Sequence, residues 1–271
     1  MSGIVADLYT LPSLAIYALF MSISGIAASV CCLLAARIAR PPDGKDHLDV
    51  AMRTTGAVMA ALTLILAFCA VQARSQASDA RAAITAEVTA IGSLARLSDR
   101  LGAPGHALKR ELVAYLHSIA DDEFPQMATH GRNGATQRHV EAVEDAAYMA
   151  AGSASEALAT DLLQKVDDIG SARDRRLHSA QIGLPHEFWL LIGLLFGLLV
   201  ITGALYPARR HTVAMLGIQA AGCGALIAFV FIVDQPFLGA VRITAEPYAA
   251  LHQTLEHRSA NARRGPVFAA P

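Results

Sequence analysis

Four runs of this chain carry no Asp, Glu, Lys or Arg: residues 8–36, 54–73, 188–208 and 212–233. A helix needs roughly 20 apolar residues to cross the hydrocarbon core of a bilayer. The runs therefore predict four membrane spans, at 12–36, 54–73, 188–208 and 212–233. A helix buried in a soluble protein usually keeps one polar edge, and these runs have none. Trp189 and Tyr206 sit near the two ends of the third run, where interfacial aromatic belts form. The first run lacks a basic leader and exceeds the length of a secretory h-region, so it reads as an uncleaved helix.

Charge is correspondingly concentrated. Residues 74–187 hold 28 of the 45 acidic and basic residues, in a chain that is 54% hydrophobic and 17% charged. That interval shows helical periodicity in three stretches: Ile84, Val88, Ile91 and Leu94; Leu108, Leu112, Leu116 and Ile119; Leu158, Leu162, Val166 and Ile169. Alternation with period two is absent, so no strand is expected. Breaks are expected at 102–106 and 130–135, which gives about three long helices, the first continuing the second span without interruption. The reading is an all-α polytopic membrane protein: four transmembrane helices in two pairs around a polar helical bundle. The expected boundaries are 1–73 for the first pair, 74–184 for the polar domain, 185–234 for the second pair and 235–271 for a C-terminal segment ending in a flexible tail.

Each span carries small residues three or four apart: Gly25, Ala28, Cys32 and Ala35; Gly56, Ala60, Thr63, Ala67 and Ala70; Gly193 and Gly197; Gly217, Ala221, Gly224 and Ala228. Small residues let helix backbones approach closely in lipid, where no hydrophobic force draws helices together. Helix packing is the reading they favour, with a pore-lining face as the functional alternative.

Motif chemistry is sparse. His186 and Glu187 begin a zinc-binding HExxH pattern, but position 190 is Leu. His139, Glu141, Glu144 and Asp145 read as a solvated helix face, and Asp121, Asp122 and Glu123 as a helix end in solvent. No Walker loop, dinucleotide fingerprint or GxSxG motif occurs. The expectation is a non-enzyme without cofactor or metal. A net charge of −1 gives no nucleic-acid footprint. Cys31, Cys32, Cys69 and Cys223 all lie in the apolar runs, which excludes a disulfide framework in the polar domain.

The exit of the fourth span stands out: Asp234, Gln235, Pro236, Phe237, Leu238, Gly239. An acid at the membrane boundary is costly. Pro236 stops the helix and Gly239 permits a turn. Arg242 follows eight residues after Asp234 and is a candidate ion-pair partner for it.

With these residues in view, the chain resembles the bestrophin-like family of bacterial membrane proteins. The resemblance runs through GKDHLDVAMRTTGAVMAALTLILAFCAVQARSQ, AEVTAIGSLARLSDRLG, Tyr115, the step Glu123-Phe124-Pro125, RDRRLHSAQIGLPHEFWLLIG and YPARRHTV. It closes in IVDQPFLGAVRITAEPY, where Asp234, Pro236, Phe237, Gly239, Arg242 and Pro247 match the family's pattern. The family is named for a distant likeness to bestrophins, which are pentameric chloride channels. The resemblance implies a homo-oligomer, a pentamer by analogy, passing chloride or other small anions, with the second span lining the pore. Leu62, Ile65 and Phe68 are the candidate constriction, since apolar constrictions gate by dewetting. Arg53 and Arg74 are candidate sources of anion preference at the pore mouths. Bestrophins follow Pro-Phe with calcium-binding acids, which Leu238-Gly239-Ala240-Val241-Arg242 lacks, so calcium gating is not expected. Their aromatic-rich motif after the second span is replaced here by ARSQASDARAAITAEV.

The implied location is the inner (plasma) membrane. The two short loops carry Arg37, Arg40, Lys45, Arg53, Arg209 and Arg210. The positive-inside rule places them in the cytoplasm and the polar domain outside, although Arg74, Arg81, Arg173, Arg175 and Arg176 flank the spans on the domain side. The bestrophin analogy places the domain in the cytoplasm. The competing functional reading is a non-conducting sensor or scaffold whose helical domain binds a ligand or protein partner.

Overall fold

Alanine-rich sequence and the absence of period-two alternation give helices throughout. The computed structural model describes residues 8–38, 45–239 and 242–264. Its helices are α1 (Ser13–Ile38), α2 (Lys45–Ser98), α3 (Ala103–Ser118), a π-helical turn (Ile119–Glu123), α4 (Met127–His130), α5 (Gly134–Ala151), α6 (Glu156–Gln181), α7 (His186–Thr202) with a 3₁₀ turn (Gly203–Leu205), α8 (Arg210–Asp234) and α9 (Glu246–Arg264). Four stretches are long and apolar enough to cross a membrane, matching the four charge-free runs. The second run lies inside α2, which continues unbroken for 54 residues. The third span is shorter than expected, because the helix tightens at Gly203 and ends before Pro207.

The chain forms two compact units. One is Met1–Gln76 with Gly183–Arg242, the other Ala77–Ile182 with Ile243–Pro271. The segment after the exit motif thus joins the second unit. Where a flexible tail was expected, α9 runs from Glu246 to Arg264 and buries Tyr248 and Leu255. Residues 265–271 of that expected tail lie outside the described residues.

In the first unit, α1 and α8 meet along their small-residue seams. A Cβ on Gly25 would lie 3.1 Å from the Gly217 carbonyl oxygen, and one on Gly224 would lie 2.6 Å from that of Phe20. Close backbone approach of this kind supplies dispersion contact where lipid gives no other drive. The α2 helix packs through larger side chains. Val58, Leu62, Leu66 and Cys69 form one core with Leu184, Ile192, Leu199, Cys223 and Val230. Polar staples close one end: His47 Nε2 lies 3.1 Å from the Leu205 carbonyl oxygen, and the Tyr206 hydroxyl donates to Thr55 Oγ1.

The second unit is a helical bundle with Ile84, Ile91, Leu94, Leu108, Leu112, Leu116, Val143, Leu162 and Ile169 buried. Four long helical segments build it before α9, not three. The chain breaks again between α5 and α6 at Gly152–Ser155, with Ser155 in extended backbone ahead of α6. Asn133 caps α5, its side chain accepting from the backbone N–H groups of Ala135 and Thr136.

Candidate functional site

The exit motif of the fourth span is a structured knot in the first unit. Pro236 cannot continue α8, which ends at Asp234. The Asp234 carboxylate is buried and accepts the Leu184 backbone N–H at 2.5 Å, together with hydrogen bonds from the Trp189 and Gln235 side chains. The residues leading into α7 are thereby tied to the end of α8. Gly183 leaves room for this, since a Cβ there would lie 2.5 Å from Gln235 Nε2 and 3.3 Å from both carboxylate oxygens. Phe237 is buried, and Gly239 adopts φ +78°, a left-handed conformation that glycine adopts without strain. Tyr9 stacks on Phe231 at 4.5 Å and donates to its carbonyl oxygen at 2.9 Å. Arg242, expected to pair with Asp234, is exposed instead. Backbone and neutral donors satisfy the acid in its place.

The faces of α2 divide sharply. Ala51, Thr55, Val58, Leu62, Leu66, Cys69 and Ala73 are buried at steps of three and four. The opposite face, at the same steps, is Ala57, Ala60, Leu64, Ala67 and Val71, and all five are exposed. Leu62, expected at a pore constriction, has 0% exposure and belongs to the core of its own unit. Ile65 lies half-buried against that core. Phe68 is exposed and stacks on Phe188 at 5.7 Å. Between Thr54 and Ala73, the exposed large apolar residues are Leu64, Phe68 and Val71.

This open face differs from those of α1 and α7. Their exposed residues are large aliphatics, including Ile23, Ile26, Val30, Leu33 and Leu34 on α1, and Leu190, Leu191, Leu194, Leu198 and Ile201 on α7. Along α2, alanine dominates, with Gly56 and Thr63 on one flank. The small-residue seam noted on the second span is therefore left uncovered in the single chain. So are Gly193 and Gly197, where an added Cβ meets nothing within 4 Å.

In the second unit the sequence reading missed a buried ionic centre. The π-helical turn rotates Glu123 inward, so that it is fully buried where a solvated acid was expected. Arg173 donates to both of its oxygens, at 3.2 and 2.5 Å. Arg176 bridges Glu123 at 2.8 Å and Glu87 at 2.7 and 3.2 Å. Glu87 also accepts the hydroxyls of Tyr115 at 2.6 Å and Tyr248 at 2.7 Å. Two carboxylates and two guanidiniums balance, which is how buried charge is tolerated. Burial pushes the Glu123 carboxyl up, but the Arg173 hydrogen bond and the charges of Arg176 and Arg173 more than reverse this, leaving it below the usual glutamate value. Burial, then the Glu87 charge, lifts the hydroxyls of Tyr115 and Tyr248 well above the usual tyrosine value, so both remain donors. Spacing gave no signal for this centre, because its members stand at positions 87, 115, 123, 173, 176 and 248. Among the described residues, no three His, Cys, Asp or Glu side chains gather as a metal site. His139, Glu141, Glu144 and Asp145 remain spread along α5.

A family model described as a bestrophin-like domain matches residues 21–248. The chain belongs to the bestrophin-like family. Solved structures agree in fold. A mutant bacterial bestrophin homologue from Klebsiella pneumoniae superimposes with a TM-score of 0.66 at 12% identity, covering 91% of this chain and 98% of that one. A second structure of a Klebsiella pneumoniae homologue gives 0.63 at 13%, covering 90% and 97%. A crystal structure titled only as a membrane protein mutant gives 0.65 at 13%, covering 92% and 97%. No curated protein matches in sequence. This bestrophin-like chain is an integral, multi-pass, all-α membrane protein of bestrophin architecture.

Proposed function

We propose that this bestrophin-like chain is one subunit of an oligomeric ion channel whose pore is lined by the open face of α2. One observation carries the reading. The uncovered face of α2 is built from Ala57, Ala60 and Ala67 and interrupted by Leu64 and Val71, whereas the faces of α1 and α7 are aliphatic. Small residues suit close approach of one helix to its copies around an axis. Leu64 and Val71, with Phe68 on the flank, then form an apolar constriction of the kind that gates by dewetting. Leu62 is replaced in that role by Leu64.

Charge-free sequence runs from Thr54 to Ala73, between Arg53 and Arg74. At 1.5 Å per residue the two arginines are about 30 Å apart along α2, the thickness of the hydrocarbon core. They favour anions at the two mouths. Arg53 pairs with Asp49 at 2.9 Å while remaining largely exposed. The exit motif of Asp234, Pro236, Phe237 and Gly239 acts as a positioning element that fixes the start of α7. Arg242, exposed and outside that knot, takes no part in it. Family membership supports a homo-oligomer, a pentamer by analogy, in the inner membrane with the polar domain in the cytoplasm.

Purified protein in planar bilayers tests the proposal. Chloride currents that reverse at the chloride equilibrium potential are expected. Protein that is oligomeric but electrically silent across voltages and anions overturns it.

A further inference from the structure

The C-terminal half of α1 turns a branched aliphatic face outward. Val30, Leu33 and Leu34 are each about half exposed. Arg37 follows them by seven, four and three positions, which sets all four on one face of the helix. Together they line a groove of about 250 Å³. The face lies away from α8, which α1 meets through Ser24, Gly25 and Ser29.

Arg37 stands where the apolar run of α1 ends. The packing of α1 on α8 fixes what else lies at that level. Gly25 lies beside Gly217 and Phe20 beside Gly224, so the helices run antiparallel and the end of α1 is level with the start of α8. There Arg209 and Arg210 are exposed. α1 holds no acid, and the sole acid of α8 is Asp234 at its far end. On α2, Lys45 and Arg53 are offset by Asp46 and Asp49, and in the connecting loop Arg40 is offset by Asp43. His47 and His211, also at this end, bring no negative charge. The excess is positive and consists of Arg37, Arg209 and Arg210. Arg53 has Asp49 as its ion-pair partner, whereas Arg37 has neither an ion-pair nor a hydrogen-bond partner among the described residues.

We propose that this groove holds an anionic phospholipid, its phosphate on the Arg37 guanidinium and the upper part of one acyl chain against Leu34, Leu33 and Val30. A guanidinium pairs with phosphate through two parallel N–H bonds. Val30 lies seven residues, about 10 Å, from Arg37 along the axis, so one helix face meets both headgroup and chain. Apolar surface alone would accept any lipid chain. The unpaired arginine is what selects the headgroup, since basic side chains at the membrane surface draw anionic lipid. A zwitterionic lipid gains less, because its ammonium group needs an acid and the lining offers none. The site requires the spans and no pore, so it stands apart from the channel reading.

The test uses the full chain reconstituted in vesicles, with Trp189→Phe removing the sole tryptophan and Leu34→Trp placing one in the groove. Fluorescence quenching by phosphatidylglycerol with brominated acyl chains is compared with quenching by brominated phosphatidylcholine. A preference for phosphatidylglycerol of about fivefold is expected at Leu34→Trp. None is expected with Leu194→Trp, an exposed position on α7. Adding Arg37→Gln should remove the preference, and Arg37→Lys should keep most of it. Because Trp189 bonds Asp234, a second measurement leaves it in place. In native mass spectrometry of the otherwise unaltered chain, Arg37→Gln should lower retained phosphatidylglycerol several-fold and leave phosphatidylcholine unchanged. Equal quenching by the two lipids at Leu34→Trp, or equal retention by chain and variant, overturns the site. So does a preference that survives Arg37→Gln and falls only with Arg209→Gln and Arg210→Gln. No quenching by either lipid means that protein covers the groove, a second copy included, and overturns it as well.

Discussion

The Tyr248 hydroxyl donates to Glu87 Oε2 at 2.7 Å, joining the last helix to α2 across 161 positions of sequence. Neither residue is exposed. Glu87 also takes Tyr115 and Arg176, so the carboxylate anchors three separate stretches of chain.

Removing that hydroxyl tests the anchor. Tyr248→Phe keeps the ring, its edge contact with Phe124 and the Arg176 guanidinium 5.6 Å from its centroid, and deletes only the hydrogen bond. A hydrogen bond to a charged group contributes roughly 1.5–3 kcal/mol. The variant is expected to lose about that much stability, with amide exchange over 246–258 speeding before the rest of the unit changes. Uniform exchange rates along the bundle would show that α9 is held by apolar burial alone.

Acid should weaken the second unit in a defined window. The Glu123 carboxyl titrates lower when folded than when unfolded. Its contribution is therefore fully present above the unfolded value of about 4.3 and is lost as pH falls through the lower folded value. Tyr115 and Tyr248 act at the other end: their folded values are raised, so stability is constant below about 10 and declines as pH rises beyond it. Melting temperatures of the detergent-solubilised chain from pH 3 to 11, at about one-unit steps, should show a plateau with both shoulders. Glu123→Gln should blunt the acid shoulder.

Leu62 and Leu64 are two residues apart and should respond oppositely to truncation. Leu62 is fully buried, so Leu62→Ala is expected to destabilise by about 2–5 kcal/mol with little effect on single-channel current. Leu64 is 73% exposed, so Leu64→Ala should leave the melting temperature nearly unchanged and raise conductance. Equal effects of the two substitutions on current would remove Leu64 from the constriction.

The side of the membrane facing the polar domain is open to direct labelling. Ser153 is exposed in the turn between α5 and α6. Asn133 is a poorer site, because its side chain caps α5. With native cysteines replaced, Ser153→Cys is expected to resist a membrane-impermeant maleimide in intact cells and to react after lysis. Reaction in intact cells would place the domain outside, as the loop charges imply.

The four spans were legible because lipid demands long charge-free runs, and nothing else in the chain imitates them. The facing of α2 was not. When every position of a helix is apolar, periodicity cannot say which stripe meets its own unit, and Leu62, expected at a constriction, lies buried in the core of its own unit. Glu123 was misread for a different reason. Asp121, Asp122 and Glu123 look alike in sequence, and only the wider π turn separates the one that points inward. Glu87 lies in AEVTAIGSLARLSDRLG, one of the stretches that carry the family resemblance, but nothing in the sequence paired it, since its partners come from distant helices. The break at Gly152–Ser155 was missed because alanine-rich flanks carried the helical pattern across it.

The gathering of Tyr115, Arg176 and Tyr248 on Glu87 also has a temporal side. A ribosome delivers Glu87 and Tyr115 early, Arg176 later and Tyr248 last. Until the final stretch emerges, the bundle holds a charged oxygen short of one donor, and contacts so distant in sequence form slowly. Nascent chains halted before Tyr248 should therefore be the species that quality-control proteases see, which makes the C-terminal helix a completion signal for the whole bundle.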